Sequence, residues 1–181
     1  MRFSVEQTPA QPWKNGLGTT RELASSVTVD ADLIWRASLA QIDQDGPFSA
    51  FPGLARIHCI VSGAGLDLSN PENQLAADPL KPLNFDGGLE LMAHLRVGPC
   101  TAFNLIYDPR YISAEMQICG AGQHRSAAAV QIVYVLQGSL RLDFPIGQEQ
   151  LGPGEGWQGA GPQIVDVAPN SRVVLLALNP V

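Results

Sequence analysis

With 181 residues, 45% of them apolar and 15% charged, the chain is long enough to bury a substantial core and too apolar for disorder. Its net charge of −6 and sequence pI of about 4.9, with no Lys/Arg cluster, argue against nucleic acid and against anionic membrane surfaces as partners. The opening MRFSVEQTPAQPW lacks the apolar stretch of a secretory signal, and the longest strongly apolar run, Val173 to Leu178, is too short to span a bilayer.

The first distinctive segment is WKNGLGTTREL, Trp13 to Leu23. Trp13-Lys14-Asn15-Gly16 reads as a turn, because Asn and Gly tolerate positive φ. Two threonine hydroxyls and an Arg-Glu pair follow it, so the segment is either a capped hairpin or a hairpin that presents hydrogen-bonding groups. Strand patterns come next: Leu33–Ile42 with clear alternation, then 55–62, 89–95, 101–107, 130–136, 139–144, 164–167 and 173–178. Eighteen glycines and 14 prolines punctuate them, and no long helical periodicity appears. The three cysteines, Cys59, Cys100 and Cys119, are odd in number and form no CxxC; free thiols in a reducing, cytoplasmic setting are expected.

Two segments resemble each other. IHCIVSG, ending at Gly63, leads into AGLDL; IVYVLQG, ending at Gly138, leads into SLRLD. Each is an apolar strand, a Gly turn and an alternating strand, and each half closes with a further apolar strand, Phe103–Ile106 and Val173–Leu176. The two turns lie 75 positions apart, at 63 and 138. Two similar β-units are expected, covering 1–110 and 111–181 and dividing near 107–125. The alternative is chance likeness between two hairpins. LGPGEGW, Leu151 to Trp157, adds a Gly-rich turn before an aromatic strand start, the layout of a cupin jelly-roll.

Candidate chemistry is sparse. His58, His94 and His124 are far apart in sequence, with no two one residue apart as a cupin metal site requires, so no metal and no other cofactor are expected. There is no GxSxG elbow, no Cys-His spacing and no phosphate loop. What remains is a polar set on apolar strands. Arg36 and Ser38 share one strand face, Arg56 and His58 share another, and Asn104 interrupts an apolar run. Buried polar groups must be paired. Arg36, Arg56, Glu22 and Asp43 pair with one another, or the set meets a ligand, or both hold, a network orienting one free guanidinium toward a ligand.

Four blocks carry a family resemblance: WKNGLGTTREL; Trp35 to Ala40; GPFSAFPGLAR, Gly46 to Arg56; and NFDG, Asn84 to Gly87, with Phe103-Asn104-Leu105. In order and content they resemble the HutD/Ves family of small bacterial proteins. The chain departs from that pattern at Leu17, where a Gly is usual, and at Ala55 and Ala102, where Asp is usual. The resemblance implies an all-β bicupin: two jelly-roll, cupin-type barrels packed together with little helix. It also implies a link to histidine utilisation and to stress-induced expression, with no reaction attached. The expected function is non-catalytic binding of a small anionic metabolite, a formylated or carboxylated amino-acid breakdown intermediate, that modulates a pathway. The ligand-binding candidates are Trp13, Asn15, Gly16, Thr19, Arg21, Glu22, Arg36, Ser38, Ser49, Arg56, His58 and Asn104. Two alternatives stay open: a metal-independent isomerase or hydrolase using Glu22 or His58 as base, and a structural or protein-binding role. A homodimer is an assembly that cupin sheets allow.

Overall fold

The computed structural model describes residues 1–161 and 164–181. They form strands and connecting loops, with no helix among the described residues. In chain order the strands are β1 (Arg2–Ser4), β2 (Gln11–Pro12), β3 (Gly18–Val27), β4 (Leu33–Ile42), β5 (Gly46–Phe48), β6 (Ala55–Ser62), β7 (Leu66–Ser69), β8 (Gln74–Ala77), β9 (Leu83–Asp86) and β10 (Leu91–Leu95). They continue as β11 (Cys100–Tyr107), β12 (Ile112–Cys119), β13 (Gly122–His124), β14 (Val130–Gln137), β15 (Leu140–Asp143), β16 (Gln148–Leu151), β17 (Glu155–Gly159), β18 (Ile164–Val167) and β19 (Arg172–Pro180). No helix is long and apolar enough to cross a membrane.

The chain divides into two compact units, one of Pro9–Arg110 and one of Met1–Thr8 with Tyr111–Val181. In the Pro9–Arg110 unit an antiparallel six-stranded sheet, β2-β3-β4-β11-β6-β9, accompanies a four-stranded sheet, β5-β10-β7-β8. Ile42, Ile60 and Ala102 from the larger sheet pack with Leu66, Leu68, Leu91 and Ala93 from the smaller. Alternation explains this: Leu66 and Leu68 are fully buried on one face of β7, while Asp67 turns outward to Arg96. On the other face of the larger sheet Cys59, Phe103 and Leu105 are also fully buried, which is why β11 reads as an almost continuous apolar run.

The second unit repeats this plan with sheets β1-β17-β14-β19-β12 and β13-β18-β15-β16. Val133, Val135, Val173 and Trp157 meet Leu140, Leu142, Val165 and Val167 in its core. The likeness extends to single residues. Gly63 and Gly138 follow equivalent strands and both have positive φ, 94° and 74°. Each unit also carries a bulge at the same point of its central ladder. Thr101 and Ala102 face Ser62 and Ile60, skipping Val61; Arg172 and Val173 face Gln137 and Val135, skipping Leu136.

The opening signature forms the β2–β3 hairpin. The Trp13 N–H donates to the Gly18 carbonyl at 2.9 Å, and the indole lies over Gly18. A Cβ on Gly18 would stand 2.2 Å from the Gln41 carbonyl oxygen and 3.0 Å from the Trp13 ring. Because one of those neighbours is sheet backbone, Gly18→Ala is expected to cost roughly 1–3 kcal/mol, the overpacking range, and to displace Trp13. Chemical denaturation with tryptophan fluorescence would show it; an unchanged midpoint would contradict the close approach.

Candidate binding site in the Pro9–Arg110 unit

The site arises from three adjacent strands and the period-2 alternation of their side chains. β11 lies between β4 and β6. Ile106 pairs with Arg36 on one side and Arg56 on the other; two residues along, Asn104 pairs with Ser38 and His58; two further, Ala102 pairs with Ala40 and Ile60. All three rows share one sheet face, so the two arginines flank Ile106 and the two polar rows lie one above the other. Arg36, Arg56, Ile106, Ser38, Asn104 and Ala40 of these rows line a cavity of about 60 Å³ together with Trp13, Thr20, Phe48, Ser49 and Phe51.

Asn104 is the hub. Its Oδ1 accepts from Arg56 Nη2 at 2.7 Å and Nε at 3.1 Å, and lies 2.8 Å from His58 Nδ1. Since that oxygen already serves a guanidinium, it is the carbonyl of the amide, and His58 Nδ1 carries the proton as donor. The lone pair of His58 is then on Nε2, which is buried without a protein partner. Arg56 also donates from Nη1 to the Ser49 carbonyl at 3.4 Å, and its guanidinium carbon sits 4.0 Å from the centre of the Phe48 ring. Arg36 lies over Phe51 at 5.4 Å, and its Nε too is buried without a partner. Aromatic faces thus hold both cations.

No carboxylate among the described residues neutralises them. Neither Arg36 nor Arg56 forms an ion pair among the described residues. The internal lock considered from sequence is therefore absent: Glu22 is exposed and accepts from the Ser25 hydroxyl at 2.8 Å, while Asp43 accepts from Gln41 at 3.1 Å. Ala102, at a position where the resemblance expects Asp, is fully buried on the site's own face and supplies no charge. Burial, reinforced by the neighbouring Arg36 charge, pushes Arg56 down to about 9, still protonated at neutral pH. Burial, and then the Arg56 charge, pushes His58 down to about 3 against the opposing effect of Asn104.

The low His58 value makes stability depend on pH. Unfolded, the imidazole takes up a proton below about pH 6.5; folded, it resists until about pH 3. The stabilisation by neutral His58 is therefore complete above pH 6.5 and is lost as pH falls toward 3. Unfolding free energy is expected to fall by about 2 kcal/mol between pH 7 and pH 5. His58→Gln, which keeps a donor for Asn104, should flatten that slope in denaturant titrations. An equal slope in the variant would remove His58 as its source.

The structure gathers some of the sequence-derived candidates and disperses others. Trp13, Arg36, Ser38, Ser49, Arg56 and Asn104 line the cavity, with the Trp13 indole N–H donating to Thr20 Oγ1 at 2.8 Å. His58 stands behind them through Asn104. Thr19 and Arg21 pair with Gln41 and Leu39, out of phase with the cavity-lining Ala40 and Ser38. Asn15 and Gly16 are exposed in the hairpin turn, where the Asn15 side chain accepts from the Leu17 N–H at 3.1 Å. Thr20, Phe48 and Phe51 complete the site without having stood out in sequence, although Phe48 and Phe51 lie inside the GPFSAFPGLAR block.

Among the described residues no three of His, Cys, Asp and Glu converge as a metal cage. The free cysteines are buried, and burial raises the Cys59 and Cys100 thiols to about 11, which suits inert core residues.

Comparison with known proteins follows the same lines. The HutD family model matches residues 5–175. An uncharacterized 21.2 kDa protein from the hutC 3′ region of Pseudomonas putida is 33% identical over 141 residues, 75% of this chain and 73% of that protein. Protein Ves of Escherichia fergusonii is 28% identical over 142 residues, 77% of this chain and 74% of Ves. HutD from Pseudomonas fluorescens SBW25, solved in a formate condition, superposes with a TM-score of 0.87 at 29% identity, covering 100% of this chain and 98% of that one. At the level of fold alone, the oxalate decarboxylase of Lactobacillus farciminis, a cupin protein, gives a TM-score of 0.66 at 10% identity, over 100% of this chain and 86% of that one.

Proposed function

Since the chain belongs to the HutD family, we propose that its Pro9–Arg110 unit binds a small carboxylate-bearing metabolite without turning it over, and that occupancy modulates a pathway. One observation carries this reading: two guanidiniums share a small cavity, Arg56 among the buried residues, with no anionic partner among the described residues. A buried charge without a counter-charge is costly, and a carboxylate entering the cavity would supply one along with two acceptor oxygens for the guanidinium forks. The volume of about 60 Å³ sets the scale. It exceeds the roughly 10–15 Å³ that one water needs on the same measure, so a head group of a few atoms such as a carboxylate enters and a longer tail stays outside.

The formate condition of the Pseudomonas fluorescens HutD and the hutC-region location of the Pseudomonas putida relative both fit this ligand class. They favour a carboxylated or formylated product of histidine breakdown. A binding role also suits the groups present. His58 is too weak a base for proton abstraction at neutral pH, and Glu22 does not line the cavity.

Calorimetric titration with formate, small dicarboxylates and N-formylated amino acids tests the reading. Saturable binding is expected from the carboxylates and none from their neutral amide analogues. Equal binding of acid and amide, or no binding of either, would overturn it.

A further inference from the structure

The internal repeat places a second set of polar residues where the first unit has its arginines. Anchored by the shared bulge, β14 answers to β6, β19 to β11 and β12 to β4. Residue by residue, Gln131 then stands in the place of Arg56, Glu115 in that of Arg36, Gln117 in that of Ser38, Val133 in that of His58 and Leu175 in that of Asn104. The charge is inverted: two cations become one carboxylate and one neutral amide.

A cavity of about 350 Å³ opens at this position, within the range of small-molecule sites and several times larger than the first. Glu115, Gln117 and Gln131 line it, as do His124 and Arg125. Its groups are organised. Gln117 Nε2 donates to Glu115 Oε1 at 2.6 Å, which fixes the carboxylate. Gln131, only 4% exposed, donates from Nε2 to the Ser126 carbonyl at 3.1 Å, which fixes its amide. Glu115 has no cationic partner among the described residues. Arg125 makes neither an ion pair nor a hydrogen bond among them.

We propose that this cavity is a second binding site, for a small molecule carrying a protonated amine, with Glu115 as the counter-charge and the amides of Gln117 and Gln131 as its neutral partners. The repeat supports this independently of the first site: three of the five equivalent positions stay polar, Gln131, Glu115 and Gln117, and the sign of the charge is exchanged, while Asn104 and His58 give way to Leu175 and Val133. At the equivalent rows the two sites therefore favour head groups of opposite charge. The inference does not depend on carboxylate binding in the first unit.

The test is a nuclear magnetic resonance titration of the full chain, following the side-chain amides of Gln117 and Gln131, with Asn104 as reporter for the first unit. The probes are 1,4-diaminobutane, L-glutamine and N-acetyl-L-glutamine, whose amine is capped. The first two should shift the Gln117 and Gln131 signals saturably, and the capped compound should not. Glu115→Gln, at an exposed position and nearly isosteric, should weaken the response about tenfold, the loss expected for one charge-assisted contact. The proposal is overturned if the capped compound shifts Gln117 and Gln131 as strongly as L-glutamine does. It fails equally if Glu115→Gln leaves the affinity unchanged, or if neither amine perturbs these signals at tens of millimolar.

Discussion

Replacing Arg56 by Met should weaken carboxylate binding about tenfold or more while leaving the ligand-free protein as stable as the parent or more so. The two effects separate because Arg56 is 7% exposed, carries its charge beside Arg36 and has only neutral hydrogen-bond partners, Asn104 and the Ser49 carbonyl. A buried charge of that kind is a cost that an apolar chain of similar length removes. Its loss as a ligand partner should weaken binding by roughly 1.5–3 kcal/mol, about tenfold to a hundredfold. Arg36→Met should act the same way with a smaller stability gain, since Arg36 is the less buried of the two. Calorimetry gives the affinity and thermal unfolding the stability. If the variants bind like the parent, the cavity is not the site. If they instead melt well below the parent with unaltered affinity in the folded fraction, the arginines serve the fold.

Asn104→Leu should be the most damaging single change in this unit. One amide oxygen receives two donors from Arg56 and one from His58, all three from buried groups. Leucine would leave a guanidinium and an imidazole N–H without an acceptor inside the sheet. Removing one partner of a buried charged network costs about 3–5 kcal/mol, a large fraction of the roughly 5–15 kcal/mol that holds a domain folded. Asn104→Asp separates hydrogen bonding from charge: it keeps an acceptor for both neighbours and adds the anion that the site lacks. It should fold, and it should bind carboxylates far more weakly than the parent because its own carboxylate occupies Arg56. Urea titrations of both variants and calorimetry of the aspartate variant would decide. A stable Asn104→Leu protein, or undiminished binding in Asn104→Asp, would remove Asn104 from the centre of the network.

The sequence alone determined the all-β class, most strand positions and the likeness of the two Gly turns, because these depend on local alternation and on turn chemistry. β4 and β6 fall at residues 33–42 and 55–62, as alternation places them. Period 2 likewise put Arg36 with Ser38 and Arg56 with His58 on common faces. Tertiary structure alone decided which faces meet. Nothing local says that β11 enters between β4 and β6, so that Asn104 reaches across 48 residues to Arg56. Register has a similar reach: it puts Thr20 rather than Thr19 at the cavity, since a shift of one residue reverses every side chain of a strand. It decided equally that Arg36 and Arg56 meet aromatic rings and no carboxylate, and that Met1–Thr8 lies with residues 111–181 through the pairing of β1 with β17. Strands are written in the spacing of neighbours along the chain. Sites are made by ladders between strands distant in sequence, whose partners are chosen by the burial of the whole sheet.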